Sequence, residues 1–504
     1  MGETFLLSSR RTLAWSAALF VLSCPAAFAA APAAPAAAAP LAAYVLLAES
    51  PAKTVALARV IVAADALCPD LLDAGKRKPT RARRNPHGFP VKVCEALYPF
   101  GRSLTVAGGP RLPRIAAASP SRVAVIGDSG CQPKSQGSCS LDDPAWPFPQ
   151  LAAAAAKSPP DLVIHVGDYN YRGTPSGFTK EVEGKETKLY YYDAGDGAPV
   201  AENCGLDAVY YSQNSAGNPD ADNWNAWWLD FFQPAGPLLS AAPWVFARGN
   251  HELCSHGGPG YFYFLDAGSD LLPGGQISCP PQDGDGPVLS RLRLAPPRIL
   301  RLGDLELLLL DSANACDQLP GLYEDYRRQL KAATARLRGH NAWLITHRPV
   351  WGIEDQAEPV YGCDGKESQA APLPYGQLNQ TLQCALAGDT GDKLLPRLEW
   401  ILAGHMHRFE TVNFTAPSER PPTLIVGNSG VGEDGGPPVG AFAQTLDGAT
   451  ATGFSLAQYG YLELRKEENG PWSGQIVALD AAAWSPYVAA CAEGDAQLCV
   501  KALP

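Results

Sequence analysis

Between about residues 122 and 430 the chain repeats one pattern: a short, almost unbroken apolar run, a polar loop that often opens with glycine, and in several cases a stretch of helical periodicity. The apolar runs fall at 123–126, 162–166, 244–247, 307–310, 343–345, 401–403 and 424–426. They have strand length, and apolarity without alternation predicts strands covered on both faces. Helical patterns at 150–157, 223–232 and 323–337 lie between them. Strands alternating with helices predict an α/β domain whose site lies in the loops at the strand ends. The polar residues that follow each run are therefore the ones to read for chemistry.

The first 121 residues are built differently. Arg10 and Arg11 precede a largely apolar run over 13–22, and Ala27, Phe28 and Ala29 supply the small-x-small pattern of a signal-peptide cleavage site, so residues 1–29 read as an export signal. That run is too short for a membrane span of roughly 20 residues. The string at 9–13 also fits a twin-arginine signal, the Sec route being the alternative. A lipid anchor through Cys24 is a third possibility. Residues 30–43, almost all Ala and Pro, read as a linker. Residues 44–121 read as a small β-rich region with apolar runs at 60–64 and 89–91, and its basic segment at 76–84 as a solvated loop.

Composition narrows the partners. The chain of 504 residues carries a net charge of −11 and no basic stripe, which argues against nucleic acid. No later stretch is long and apolar enough to cross a membrane. Of 13 cysteines, loss of Cys24 with the signal leaves an even number able to close six bridges, which places the mature protein in the periplasm or outside the cell. Short separations favour Cys131 with Cys139, Cys363 with Cys384, and Cys491 with Cys499, and CxxC spacing for zinc is absent.

Five strand ends carry GDSG at 127–130, GDYNY at 167–171, GNHE at 249–252, LITH at 344–347 and GHMH at 404–407. Each holds at least one carboxylate, amide or imidazole donor, and four of the eight histidines fall in three of these strings. Oxygen donors with imidazole nitrogens suit cations of the iron, manganese and zinc kind and disfavour a thiolate site.

The order and content of these strings resemble the calcineurin-like metallophosphoesterases and, within them, the purple acid phosphatases, whose blocks are DxG, GDxxY, GNHE or GNHD, VxxH and GHxH. Leu344 stands where the fourth block has Val. The resemblance covers about 122–430, with DPAWPF and PWVFARGNHE similar to bacterial exported members. The serine/threonine phosphatases of the superfamily have a histidine where this chain has Gly130, and Tyr171 supplies the compensating ligand. The resemblance implies two mixed sheets flanked by helices in a four-layer sandwich over 122–487, followed by a disulfide-stapled tail at 488–504.

It further implies that Asp128, Tyr171 and His407 bind a ferric ion, that Asn250, His347 and His405 bind a divalent ion (Fe, Zn or Mn), and that Asp168 bridges them. Two carboxylates and a phenolate against ferric plus divalent metal leave a net positive centre able to hold a phosphate dianion. Water between two cations ~3.5 to 4 Å apart ionises readily and attacks phosphorus in line, so no Ser or Cys nucleophile is required. His251, beside Asn250, is placed to donate a proton or a hydrogen bond to the leaving group. Arg172 and Arg348, each directly after a ligand, and His256, in a glycine-rich loop, are candidates to touch substrate, whereas His165 reads as a core residue or a support behind the ligands. Residues 173–222, rich in tyrosine, read as a substrate-facing cap or, alternatively, an outer insertion. The implied function is an exported phosphomonoesterase acting on a small phosphorylated substrate. The alternatives are a phosphodiesterase or nucleotidase on the same site, and a catalytically silent surface binding module. The natural substrate and oligomeric state are left open.

Overall fold

The computed structural model describes residues 39–116, 118–172, 178–182, 185–189, 222–254, 256–279, 294–317, 320–353, 360–364, 367–368, 379–432, 440–466, 470–479 and 498–502. Two large mixed sheets dominate. The first has ten strands, with Arg122–Ile126, Leu162–His165, Pro243–Phe246 and Ala42–Glu49 running parallel at its centre. The second has eight, with a parallel centre of Leu305–Leu309, Ala342–Ile345, Leu398–Ala403 and Thr423–Val426. Each run expected to be a strand is one.

The absence of alternation in those runs has the expected cause. Val123 and Val125 face a core shared with Leu307, Trp343 and Leu402 of the other sheet, while Ala124 and Ile126 face helices on the outside. Phe148–Lys157, Gln233–Leu239 and Gly258–Phe264 cover the outer face of the first sheet, and Tyr323–Thr334 and Gln380–Leu386 that of the second. The layers are helix, sheet, sheet, helix. The helical pattern at 223–232 forms as Trp224–Trp227 followed by a π-helical turn, Trp228–Phe232.

The N-terminal region is β-rich, and its strands Ala42–Glu49, Thr54–Ala63 and Val91–Tyr98 extend the first sheet beside Pro243–Phe246. Residues 37–504 pack as one unit. The basic segment is a correction in part. Arg83 is buried, with its guanidinium on Glu95 and on the carbonyls of Phe262, Tyr263 and Gly268.

Disulfides join Cys68–Cys94, Cys131–Cys139, Cys254–Cys279 and Cys363–Cys384, and Cys316 is also oxidised. The expected Cys491 pairing, the signal segment, the proposed cleavage site and most of the linker lie outside the described residues. So does the expected cap over 173–222, apart from the antiparallel pair Phe178–Val182 and Lys185–Leu189 and residue 222. No helix among the described residues is long and apolar enough to cross a membrane.

Candidate metal centre

The five strings lie at the ends of five parallel strands, and the chain turns sharply at each exit. Asp128, Asp168 and His405 take positive φ values of 53°, 58° and 75°, a region non-glycine residues occupy at a cost of about 1 to 3 kcal/mol each and mainly at functional sites. The glycines in these strings reserve volume. A Cβ on Gly249 would lie 2.0 Å from Asp168 Oδ1, one on Gly404 2.4 Å from Asp128 Oδ2, and one on Gly167 2.4 Å from His347 Nδ1. A larger residue at any of the three would push a donor out of place.

The seven expected donors converge. The Tyr171 hydroxyl donates toward Asp128 Oδ1 at 2.9 Å and Asp168 Oδ2 at 3.0 Å and lies 3.1 Å from His407 Nε2. His347 Nε2 is 2.8 Å from Asn250 Oδ1 and 3.3 Å from Asp168 Oδ2. Donor atoms of Asp168, His347 and His405 all lie within 4.8 Å of one another. Asp168 thus touches both halves of the set, Tyr171 on one side and His347 on the other.

The contact between Asn250 and His347 tests whether a cation fits. His347 Nδ1 faces the carbonyl of Val166 at 2.9 Å, and a carbonyl can only accept. In the neutral ring the proton therefore sits on Nδ1, and the Nε2 lone pair faces the amide oxygen of Asn250. Two lone pairs 2.8 Å apart repel unless a cation lies near both. The donor set fits a metal, and the Val166 carbonyl fixes the tautomer that would bind it.

Charge within the site points the same way. Burial first, then the charges of Asp128 and Asp168, push the Tyr171 phenol well above its ordinary range. Only a strong cation would make it a phenolate. Burial opposes ionisation of Asp168, but His347 and His251 hold its carboxyl well below the usual range. His251 is pushed down to about 3, chiefly by burial, so its ring is neutral in ordinary buffers.

Around the donors lies a supporting layer that the sequence reading left unassigned. Glu252 accepts from the backbone N–H groups of Asp168, Tyr169 and Gly249, locking the second string onto the third. The Ser312 hydroxyl accepts from the N–H groups of His347 and Arg348. Asp317 Oδ2 lies 3.0 Å from His405 Nε2 and pairs with the Arg348 guanidinium, while Oδ1 accepts from Asn379 at 2.9 Å. Ser312 and Asp317 sit in the loop after Leu305–Leu309, itself a strand end. Reading every strand end for polar residues would have found them.

The remaining candidates separate. The ring of His251 packs 4.1 Å from that of Tyr171, its backbone N–H donates to Asp168 Oδ1 at 2.9 Å, and its Nδ1 is buried without a hydrogen-bond partner among the described residues. Arg348 reaches the site, with Nη1 3.0 Å from His405 Nε2. Arg172 is engaged elsewhere, its Nε bonded to buried Asp230 at 2.5 Å. His256 is buried and donates from Nδ1 to the His251 carbonyl at 2.5 Å, so it positions His251. His165 is a buried support: Gly167 N–H donates to its Nδ1, which leaves Nε2–H for the Ser129 hydroxyl at 2.8 Å.

Comparison with known proteins places this geometry. Among solved structures, the chain is similar to purple acid phosphatase PPD1 isolated from yellow lupin (Lupinus luteus) seeds, at 12% identity over 87% of this chain and 72% of that one, with a TM-score of 0.46. It is similar to PhoD at 12% identity over 89% and 88%, with a TM-score of 0.43. It is also similar to GAP50, the anchor in the inner membrane complex of Plasmodium, at 12% identity over 71% and 85%, with a TM-score of 0.34. No curated protein matches the chain by sequence. The family model for calcineurin-like phosphoesterases matches residues 121–409, which begins at the first site-bearing strand and extends just past the last histidine string. With that match over more than half of its length, the chain belongs to the calcineurin-like phosphoesterases and is a phosphoester hydrolase.

Proposed function

We propose that this protein is an exported phosphomonoesterase with two metal ions, a ferric ion held by Asp128, Tyr171 and His407, a divalent ion held by Asn250, His347 and His405, and Asp168 between them. The observation that carries the reading is the Tyr171 hydroxyl, within 3.1 Å of Asp128, Asp168 and His407. A phenol pushed up by burial and by two carboxylates is a poor neighbour for them until a highly charged cation takes its proton's place, which favours ferric iron over a second divalent ion. When bound, the two cations would supply Lewis acidity toward a phosphoryl oxygen and a water acidic enough to attack phosphorus.

The protein's own groups do the rest. Glu252, through three backbone N–H groups, and the Val166 carbonyl, through His347 Nδ1, hold the donors so that little reorganises when substrate arrives. Neutral His251 donates a hydrogen bond from its ring N–H to the leaving oxygen and stabilises the charge that develops there. His256 fixes the backbone of His251, and Arg348, steadied by Asp317, binds a non-bridging phosphoryl oxygen. Export is part of the same proposal. It rests on the signal pattern at 1–29, on the linker at 30–43, and on disulfides that would not persist in a reducing cytosol. The boundaries at 122–487 and 488–504 belong to it as well.

The test is elemental analysis and visible absorption of purified protein, with hydrolysis of p-nitrophenyl phosphate against its bis-ester. Two metals per chain, a tyrosinate-to-iron band lost in Tyr171→Phe, and preference for the monoester are expected. Protein that retains two metals and hydrolyses neither ester overturns the reading.

A further inference from the structure

A cavity of about 600 Å³ opens where the turn ahead of Thr54–Ala63 meets the end of Arg298–Leu302, and none of the seven donors lines it. Its volume is that of a small-molecule site. Leu97, Phe100 and Leu302 form apolar wall, and Leu97 is 42% exposed, one of four large apolar side chains so open to solvent among the described residues. Four cations, Lys53, Lys78, Arg301 and Arg338, also line the cavity, and among the described residues no carboxylate does.

Arg301 is balanced by Glu306, with Nε at 2.9 Å from Oε1. The side chains of Lys53, Lys78 and Arg338 make no ion pair or hydrogen bond among the described residues. Three uncompensated positive charges around an apolar hollow stand out on a chain of net charge −11. Like charges gathered on one concave surface repel, and an anion removes the repulsion while an apolar body covers the wall. Lysine and arginine stems lying along such a wall can still extend their charged heads to a bound anion. A metal ion has no donor here, and a neutral apolar molecule would leave the charges unanswered.

We propose that this cavity binds an amphipathic anion. An aromatic or acyl body packs on Leu97, Phe100 and Leu302, and a carboxylate, sulfonate or phosphate head lies among Lys53, Lys78 and Arg338. The inference is independent of the reaction at the metal centre.

Fluorescence titration of the full-length, metal-loaded protein with 8-anilinonaphthalene-1-sulfonate tests it. Saturable binding is expected, weakened about tenfold or more when Lys53→Gln, Lys78→Gln and Arg338→Gln are combined, since each removes a charged contact. Leu97→Ser is expected to weaken it as well, with phosphoester hydrolysis unchanged in both variants. The uncharged N-phenyl-1-naphthylamine should bind more weakly and ignore the charge substitutions. Displacement by dihexanoyl phosphatidylglycerol identifies a lipid headgroup as the source of the anion, and displacement by 2-naphthoate a free aromatic acid. Undiminished probe affinity in the triple variant, displacement by neither competitor, or displacement by inorganic phosphate at concentrations that inhibit hydrolysis overturns the proposal.

Discussion

Two buried polar clusters in this molecule solve the same electrostatic problem in opposite ways. In the first, Arg59, Arg83 and Glu95 lie almost without solvent contact. Arg83 pairs with Glu95 at 2.6 Å, Arg59 donates to the carbonyls of Phe264 and Asp266 at 2.5 and 2.6 Å, and Ser269 closes the other Glu95 oxygen at 2.5 Å. The surplus positive charge falls on carbonyls at the C-terminus of Gly258–Phe264, the negative end of that helix. In the second cluster two carboxylates, a phenol, an amide oxygen and three imidazoles converge. The first cluster finds most of its partners within the protein; the second sets the Nε2 lone pair of His347 against the Asn250 amide oxygen, a contact that a cation would relieve. Structural and functional buried charge are distinguished here by whether the protein itself supplies the countercharge.

The largest expected effect breaks the second cluster at its shared member. Asp168→Ala should remove measurable phosphoester hydrolysis and both metals, read by elemental analysis, because this carboxylate touches both halves of the donor set. His251→Ala should keep both metals and lower kcat by roughly 10² to 10³, the usual worth of one hydrogen-bond donor aimed at developing charge. A variant that loses metal instead would make His251 part of the cage. On the first cluster, Glu95→Gln should destabilise the protein by about 3 to 5 kcal/mol in denaturant titration, because it takes the countercharge from two buried guanidinium groups, Arg83 at 2.6 Å and Arg59 at 3.5 Å from the carboxylate, while metal content stays constant.

The contrast sharpens in metal-free protein. Asp128→Asn should raise the thermal midpoint of chelator-treated protein slightly, because it removes one of two carboxylate charges that flank the Tyr171 hydroxyl, whereas Glu95→Gln should lower it. If both carboxylates prove stabilising without metal, the distinction between the clusters fails. The smallest effect concerns pH. Burial pushes buried Asp230 up to about 7 from an ordinary 3.8, with the Arg172 charge pulling back only part of the way. The folded protein then holds a proton that the unfolded chain has lost between those two values. The contribution is complete below 3.8 and disappears as pH rises through 7. The thermal midpoint should therefore fall from pH 5 to pH 8, and Asp230→Asn should flatten that fall.

The two clusters also differ in how far they could be read from the chain. Strand order aside, the α/β architecture was legible because a strand covered on both faces leaves a local trace, several apolar residues in a row. The donors were legible because each follows such a run within a few positions. The first cluster left no comparable trace: Arg83 sits in a basic segment that reads as solvent-facing, and its burial depends on carbonyls about 180 residues away. Asp317 left only a weak trace, as one polar residue among several after Leu305–Leu309 with no recurrent string, and only folding brings it beside His405, 88 residues later.

By itself, then, the sequence determined the elements, the strand ends that bear chemistry, and the donor types, because these follow from periodicity and side-chain identity over a few residues. Tertiary structure alone decided which donors face one another, and that Asp128, Asp168 and His405 adopt left-handed backbone. It also decided that Arg172 is taken up by Asp230 while Arg348 reaches the site. Those outcomes depend on distances between residues far apart in the chain, and such distances are set by how two sheets pack, which no local pattern encodes.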